Sequence, residues 1–110
     1  MVAESVIQEV RSRLVARFRP ERIILFGSQA RGDAGESSDV DLLIICPLRG
    51  DRNTLMVEMD RTLGGLGIAR DIVLLTTEEF ERDRQVPGTV ARPASMEGRV
   101  LYERLSESTS

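Results

Sequence analysis

The sequence predicts an α/β (α+β) domain in which a small β-sheet is flanked by helices. Three observations carry that expectation. Val6, Val10, Leu14 and Phe18 recur at helical spacing, and Leu55, Met56, Met59, Leu63 and Leu66 repeat the pattern later in the chain. Between and after them lie short apolar runs, Arg22 to Phe26, Asp39 to Cys46 and Ile68 to Leu75, each bounded by Gly, Pro or polar turn residues. The resulting order is helix, strand, strand, helix, strand, helix, with no repeat and no internal linker.

Taken in order, the first helix reads as opening on a Ser5 and Gln8 capping box and running to about Arg19, where Pro20 stops it. Arg22 to Phe26, closed by Gly27, reads as a buried strand, and Gly32 to Ser38 as a turn-rich loop. Asp39 to Cys46 forms the second strand, ended by Pro47. Asn53 or Thr54 opens the next helix, which the Gly64-Gly65-Leu66-Gly67 cluster terminates. Ile68 to Leu75 follows as a third strand. Thr76 and Glu79 form a capping box for a short helix through about Arg84. From Pro87 to Gly98 the pattern is partly helical, and Pro93 is expected to kink or interrupt it. Arg99 to Glu103 reads as a final edge strand. The domain is expected to span residues 1–105, leaving 106–110 as a small polar tail with too little apolar surface to fold.

Composition narrows the chemistry. With 110 residues, 41% hydrophobic and 30% charged, the chain suits one domain around a modest core. No apolar run approaches the roughly 18 to 20 residues that cross a bilayer, and Met1-Val2-Ala3-Glu4 lacks the marks of a signal peptide, so a cytoplasmic location with no membrane partner is expected. The lone Cys46 lies in an apolar run and reads as a small buried hydrophobe. There is no His, which excludes Ser-His catalysis, His-containing zinc sites and the usual base near neutral pH. All fifteen cations are Arg, so a phosphate-loop lysine and Schiff-base chemistry are excluded as well. Any catalytic base must be a carboxylate or solvent. A net charge of −3 with dispersed Arg, and four scattered aromatics, argue against a duplex nucleic acid partner.

The chemistry concentrates between Leu25 and Ile45. In a strand, residues i and i+2 face the same side about 6.5 to 7 Å apart, so Asp39 and Asp41 aim two carboxylates at one spot while Val40 faces the other way. Two such anions repel, and a hard divalent cation, Mg²⁺ or Mn²⁺, shared with substrate phosphates compensates them. Gly27, without a Cβ, lets a ligand approach the backbone, Ser28 offers an N–H and a hydroxyl to phosphate, and Arg31 is placed to reach the same anion. Alone, a Gly-Ser is an ordinary turn and an Asp-x-Asp an ordinary strand end. At one fixed separation they coincide by chance in on the order of one chain in a thousand of this length. Asp71, an acid in an otherwise apolar run, demands a partner, either an Arg or the same cations. If its strand lies beside the second, three acids converge, as in sites where two ions about 3.5 to 4 Å apart serve phosphoryl chemistry.

With Gly27-Ser28, ten residues, Asp39-Val40-Asp41 and a later Asp71, the chain resembles the minimal nucleotidyltransferases of the DNA polymerase beta superfamily. The resemblance spans Pro20 to about Thr76 and extends more weakly to Glu97 through Glu103. It implies a polymerase beta-like nucleotidyltransferase fold with a mixed sheet. It also implies transfer of a nucleoside monophosphate from a nucleoside triphosphate, ATP being the first expectation, to an acceptor hydroxyl. Asp39, Asp41 and Asp71 would be the catalytic and metal positions for two Mg²⁺ ions, or Mn²⁺, and Gly27, Ser28 and Arg31 the nucleotide-binding ones. Small domains of this kind often work with a helical HEPN-type toxin, which the resemblance implies as partner, with a tyrosine of that toxin as acceptor and the chain as antitoxin. Two other readings remain open: a catalytically inactive antitoxin acting by occlusion, and an aminoglycoside-type small-molecule nucleotidyltransferase completed by a homo-oligomer. No residue reads as a contact to a particular base.

Overall fold

Among the described residues nine elements follow one another: α1 (Glu4–Phe18), β1 (Arg22–Phe26), α2 (Ser28–Arg31), β2 (Val40–Ile45), α3 (Arg52–Thr62), β3 (Arg70–Leu75), α4 (Thr77–Asp83), α5 (Ala91–Glu97) and β4 (Arg99–Glu103). They are seen in a computed structural model that describes residues 2–32 and 39–104. The turn-rich loop expected up to Ser38 and the expected polar tail lie outside the described residues. The sheet order is β3-β2-β1-β4. β1 pairs antiparallel with both β2 and β4, and β2 pairs parallel with β3, so the sheet is mixed as expected. A parallel pair needs a crossover rather than a hairpin, and α3 supplies it.

Alternation along the two central strands sorts side chains into two cores. On one face Ile23 and Leu25 of β1 and Val40, Leu42 and Ile44 of β2 pack with Ile7, Val10 and Leu14 of α1 and with Met59 and Leu63. On the other, Ile24, Leu43 and Ile45 pack with Phe80 of α4 and with Ala91 and Ala94 of α5. Helices thus cover both faces, and β2 is buried on both sides except at Asp41. Each fully buried Leu or Ile contributes about 1.5–3 kcal/mol relative to exposure. The second face is the thinner one, because two seven-residue helices cover it. Cys46 is buried in the first core, as expected.

Several local expectations are corrected. The Ser5 and Gln8 box does not form: α1 begins at Glu4 with Ala3 as an N-cap that makes no side-chain bond. Glu4 instead accepts from Gln8 Nε2 at 2.9 Å and from Arg99 at 2.8 and 2.5 Å, an acid favoured in the first turn of a helix. Helix α3 starts before Asn53, because Asp51 accepts from the Thr54 amide at 2.8 Å and caps it. Pro93 does not kink α5. It is the third residue of the helix, where its missing N–H removes no intrahelical bond. The Thr76 and Glu79 capping box is present as expected.

Glu79 does more than cap α4. Its carboxylate also receives both guanidinium nitrogens of Arg52, at 3.0 and 2.6 Å, while Arg52 donates to the Leu74 carbonyl at 2.7 Å, tying the start of α3 to β3 and α4. The Arg52 pairing, then the Thr76 amide, lowers the Glu79 pKa from its ordinary value to about 2. A carboxylate depressed on folding contributes stability above its unfolded pKa near 4.5 and loses it as pH falls toward about 2. The denaturation midpoint of the wild type should therefore decline between about pH 5 and pH 2, and Glu79→Gln should flatten that decline when the two are melted in parallel across the range. Gly98 serves close packing: a Cβ there would overlap the Ala94 carbonyl oxygen and the Ile24 methyl. Its backbone is extended and open to any residue, so the cost of Gly98→Ala is steric. That variant should lose roughly 1–3 kcal/mol in chemical denaturation.

Candidate functional site

The carboxylates meet at the end of the sheet where β1 finishes and β2 and β3 begin. Asp41 and Asp71 are register partners in the parallel pair, on strands about 4.8 Å apart, so they share a face. Asp39, two residues before Asp41, lies just ahead of β2 and by strand periodicity belongs to the same side. That side is the thinner core, and the acids continue the column of Leu43 and Ile45 beyond the cover of α4 and α5. Asp41 is half-buried, whereas Asp39 and Asp71 are exposed. The alternative partner for Asp71, its neighbour Arg70, is engaged elsewhere, donating to Asp60 Oδ1 at 2.8 Å.

The phosphate-turn residues sit at the same end. Phe26 is the antiparallel partner of Asp41, so the chain leaves β1 beside that carboxylate. Gly27 then adopts φ 77°, ψ −157°, a conformation that favours glycine. A Cβ at Gly27 would overlap Asp41 Oδ2 and come within 3.3 Å of its Cγ. Glycine is favoured here by the positive φ and by the adjacent carboxylate, which a Cβ would displace, a reason that sequence alone did not supply. Ser28 opens the four-residue α2, which was not foreseen as an element; the Ala30 and Arg31 amides bond back to the Gly27 carbonyl at 3.1 Å. Gln29 is buried and its Oε1 accepts from the Val2 amide at 3.1 Å, anchoring the turn to the N-terminal segment.

Electrostatics link these groups. The Asp41 carboxyl is pushed above its ordinary value, first by burial, then by the charges of Asp71 and Asp39, while Arg31 pulls it down. Each expected partner is therefore felt at Asp41. Arg31 also pairs with Glu97 at 3.3 Å, a contact spanning 66 residues. Sequence reasoning missed Glu97 as a site neighbour, since only the packing of α5 beside β1 brings it there. Among the described residues no group of three or more His, Cys, Asp or Glu stands in metal-holding geometry. The acids share a face and a field without closing on one point. The donor set, hard oxygens with one carboxylate destabilised by two neighbours, fits a divalent cation such as Mg²⁺. In metal-free protein, Asp71→Asn should lower the Asp41 pKa toward an ordinary aspartate, read as a carboxyl ¹³C titration, because it removes the largest like charge.

Residues 7–101 match the model of the nucleotidyltransferase domain family. A protein of Methanocaldococcus jannaschii named "Putative protein adenylyltransferase" is 33% identical over 104 residues, covering 93% of this chain and 100% of that one. A crystal structure of "a putative nucleotidyltransferase" from Sulfolobus solfataricus superposes with a TM-score of 0.62 at 22% identity, over 91% of this chain and 79% of its own, and so shares the fold. The chain belongs to the nucleotidyltransferase domain family.

Proposed function

We propose that this protein transfers a nucleoside monophosphate, AMP from ATP, to a tyrosine hydroxyl of a helical HEPN-type toxin and so acts as its antitoxin. The observation that carries the transfer reading is the register pair of Asp41 and Asp71 beside a Gly27 turn that leaves no room for a side chain. A protein acceptor is supported by the name of the Methanocaldococcus relative. It is supported also by the exposure of Asp39 and Asp71 at an open sheet end, which a macromolecule can reach.

In this reading Ser28 and Arg31 hold the triphosphate, and Asp39, Asp41 and Asp71 would hold two Mg²⁺ ions. Bound there, the cations would neutralise phosphate charge and polarise the α-phosphorus. The acceptor oxygen bonds to that phosphorus as its bond to the bridging oxygen of the β-phosphate breaks, and pyrophosphate leaves. With no His or Lys in the chain, the hydroxyl proton passes to Asp71 or to solvent. Arg31 must exchange some of its contact with Glu97 for phosphate.

Incubation with α-labelled ATP, Mg²⁺ and the helical partner should label the partner. Asp39→Ala combined with Asp41→Ala should reduce labelling about a hundredfold or more, and chelation of the divalent ion should do the same. Absence of label on the partner with any nucleoside triphosphate would overturn the reading. Neutralisation of the toxin by the double variant would point instead to occlusion.

A further inference from the structure

At the far end of the sheet from the carboxylates, a groove of about 870 Å³ opens between the last turn of α1, the segment after β2 and the start of α3. Arg17, Arg19, Arg49 and Arg104 line it. Eight of the fifteen arginines pair with a carboxylate among the described residues, and none of these four does. Arg17 donates to the Thr62 hydroxyl at 2.8 Å and lies over the Phe18 ring, while Arg104 donates to the Arg19 carbonyl. Two acids border the same groove, but Asp51 is committed to the amide and hydroxyl of Thr54. That leaves Glu58 against four guanidinium groups, a positive lining on a chain of net charge −3.

The clustering has a local cost. Four like charges lining one groove repel one another. Arg19, besides, is the one described non-glycine residue with positive φ, at 48°, a conformation that costs a bulky residue roughly 1–2 kcal/mol. That turn presents the Arg19 carbonyl to Arg104. The thiol of Cys46, also on the groove wall, has its pKa raised by burial and then by Glu21, while Arg104 and Arg49 pull it the other way. Two cations from different segments thus line one groove and act on the same thiol.

We propose that this groove binds a phosphorylated small molecule of nucleotide size, with its phosphates on Arg19, Arg49 and Arg104 and its apolar part against Phe18. Guanidinium forks match phosphate oxygens in bidentate geometry. The volume falls in the roughly 300–1,000 Å³ range of small-ligand sites. Asp41 lies about 17 Å away along β2, so this site is separate from the carboxylate end and does not depend on the transfer reaction. An extended nucleic acid strand is the poorer occupant, because the groove continues into no run of stacked aromatics.

The test is titration of the intact protein with ATP and with pyrophosphate in EDTA, following arginine Nε–Hε and backbone amide resonances. Saturable shifts at Arg19, Arg49 and Arg104 are expected. The affinity should fall at least tenfold in the double variant Arg19→Asn, Arg49→Gln, where Asn tolerates the left-handed backbone and the turn is retained. Arg82→Gln, on α4 outside the groove, should leave that affinity unchanged. The proposal is overturned if no saturable shift reaches these arginines at millimolar ligand, or if shifts are confined to residues 27–31. Tighter binding of a hexaglutamate peptide or a single-stranded oligonucleotide than of ATP would also overturn it. None of these outcomes depends on catalysis.

Discussion

Burial of β2 on both faces is the constraint on which the rest of the molecule depends. Val40, Leu42 and Ile44 enter one core and Leu43 and Ile45 the other, so a slip of one residue would exchange the two sets and drive Asp41 toward the packed side. The register of β2 with both neighbours is held by that penalty. From it follows the pairing of Asp41 with Asp71 on one side and with Phe26 on the other. The site is thus a by-product of core packing: hydrophobic residues choose the register, and the register delivers the carboxylates.

The acids gather where the cover ends. Helices α4 and α5 shield Ile24, Leu43 and Ile45, but the same face runs on past them to Asp41, which is only half-buried. Partial burial raises the Asp41 pKa together with its neighbours' charges, and the exposure of Asp39 and Asp71 keeps the cluster open to solvent. Gly27 completes the arrangement by backbone alone, since any side chain there would displace the carboxylate beside it. Polar ties hold the frame around it: Arg52 with Glu79 joins α3 to α4, and Arg99 with Glu4 joins β4 to α1. The latter two pairs are exposed in part and act as positioning contacts more than as large sources of stability.

Charge is distributed unevenly between the two ends of the sheet. One end collects aspartates, the other arginines that pair with no carboxylate among the described residues. A chain of modest net charge can carry two opposite fields because β2, six residues long, separates them and screening at physiological salt acts over about 8 Å. Opposite charges thus collect at opposite ends of one sheet.

Much of this was written in the sequence. Helical and strand periodicities placed the four described strands, the Thr76 and Glu79 box marked the start of α4, and the Gly-Ser to Asp-x-Asp spacing marked the candidate site, because each of these is a local or short-range signal. Where local signals competed, they misled. Ser5 and Gln8 offered a capping box that does not form, because α1 begins at Glu4 and takes Ser5 inside it, and Pro93 looked like a breaker although α5 begins two residues before it. What tertiary structure alone decided is longer in range: that Asp71 lies opposite Asp41, that Arg31 meets Glu97, that Gly27 is favoured by an adjacent carboxylate, and that four arginines share one groove. Side-chain alternation tells which way a residue faces, but which strand lies beside it is set by the burial of both faces of β2, a property of the assembled sheet.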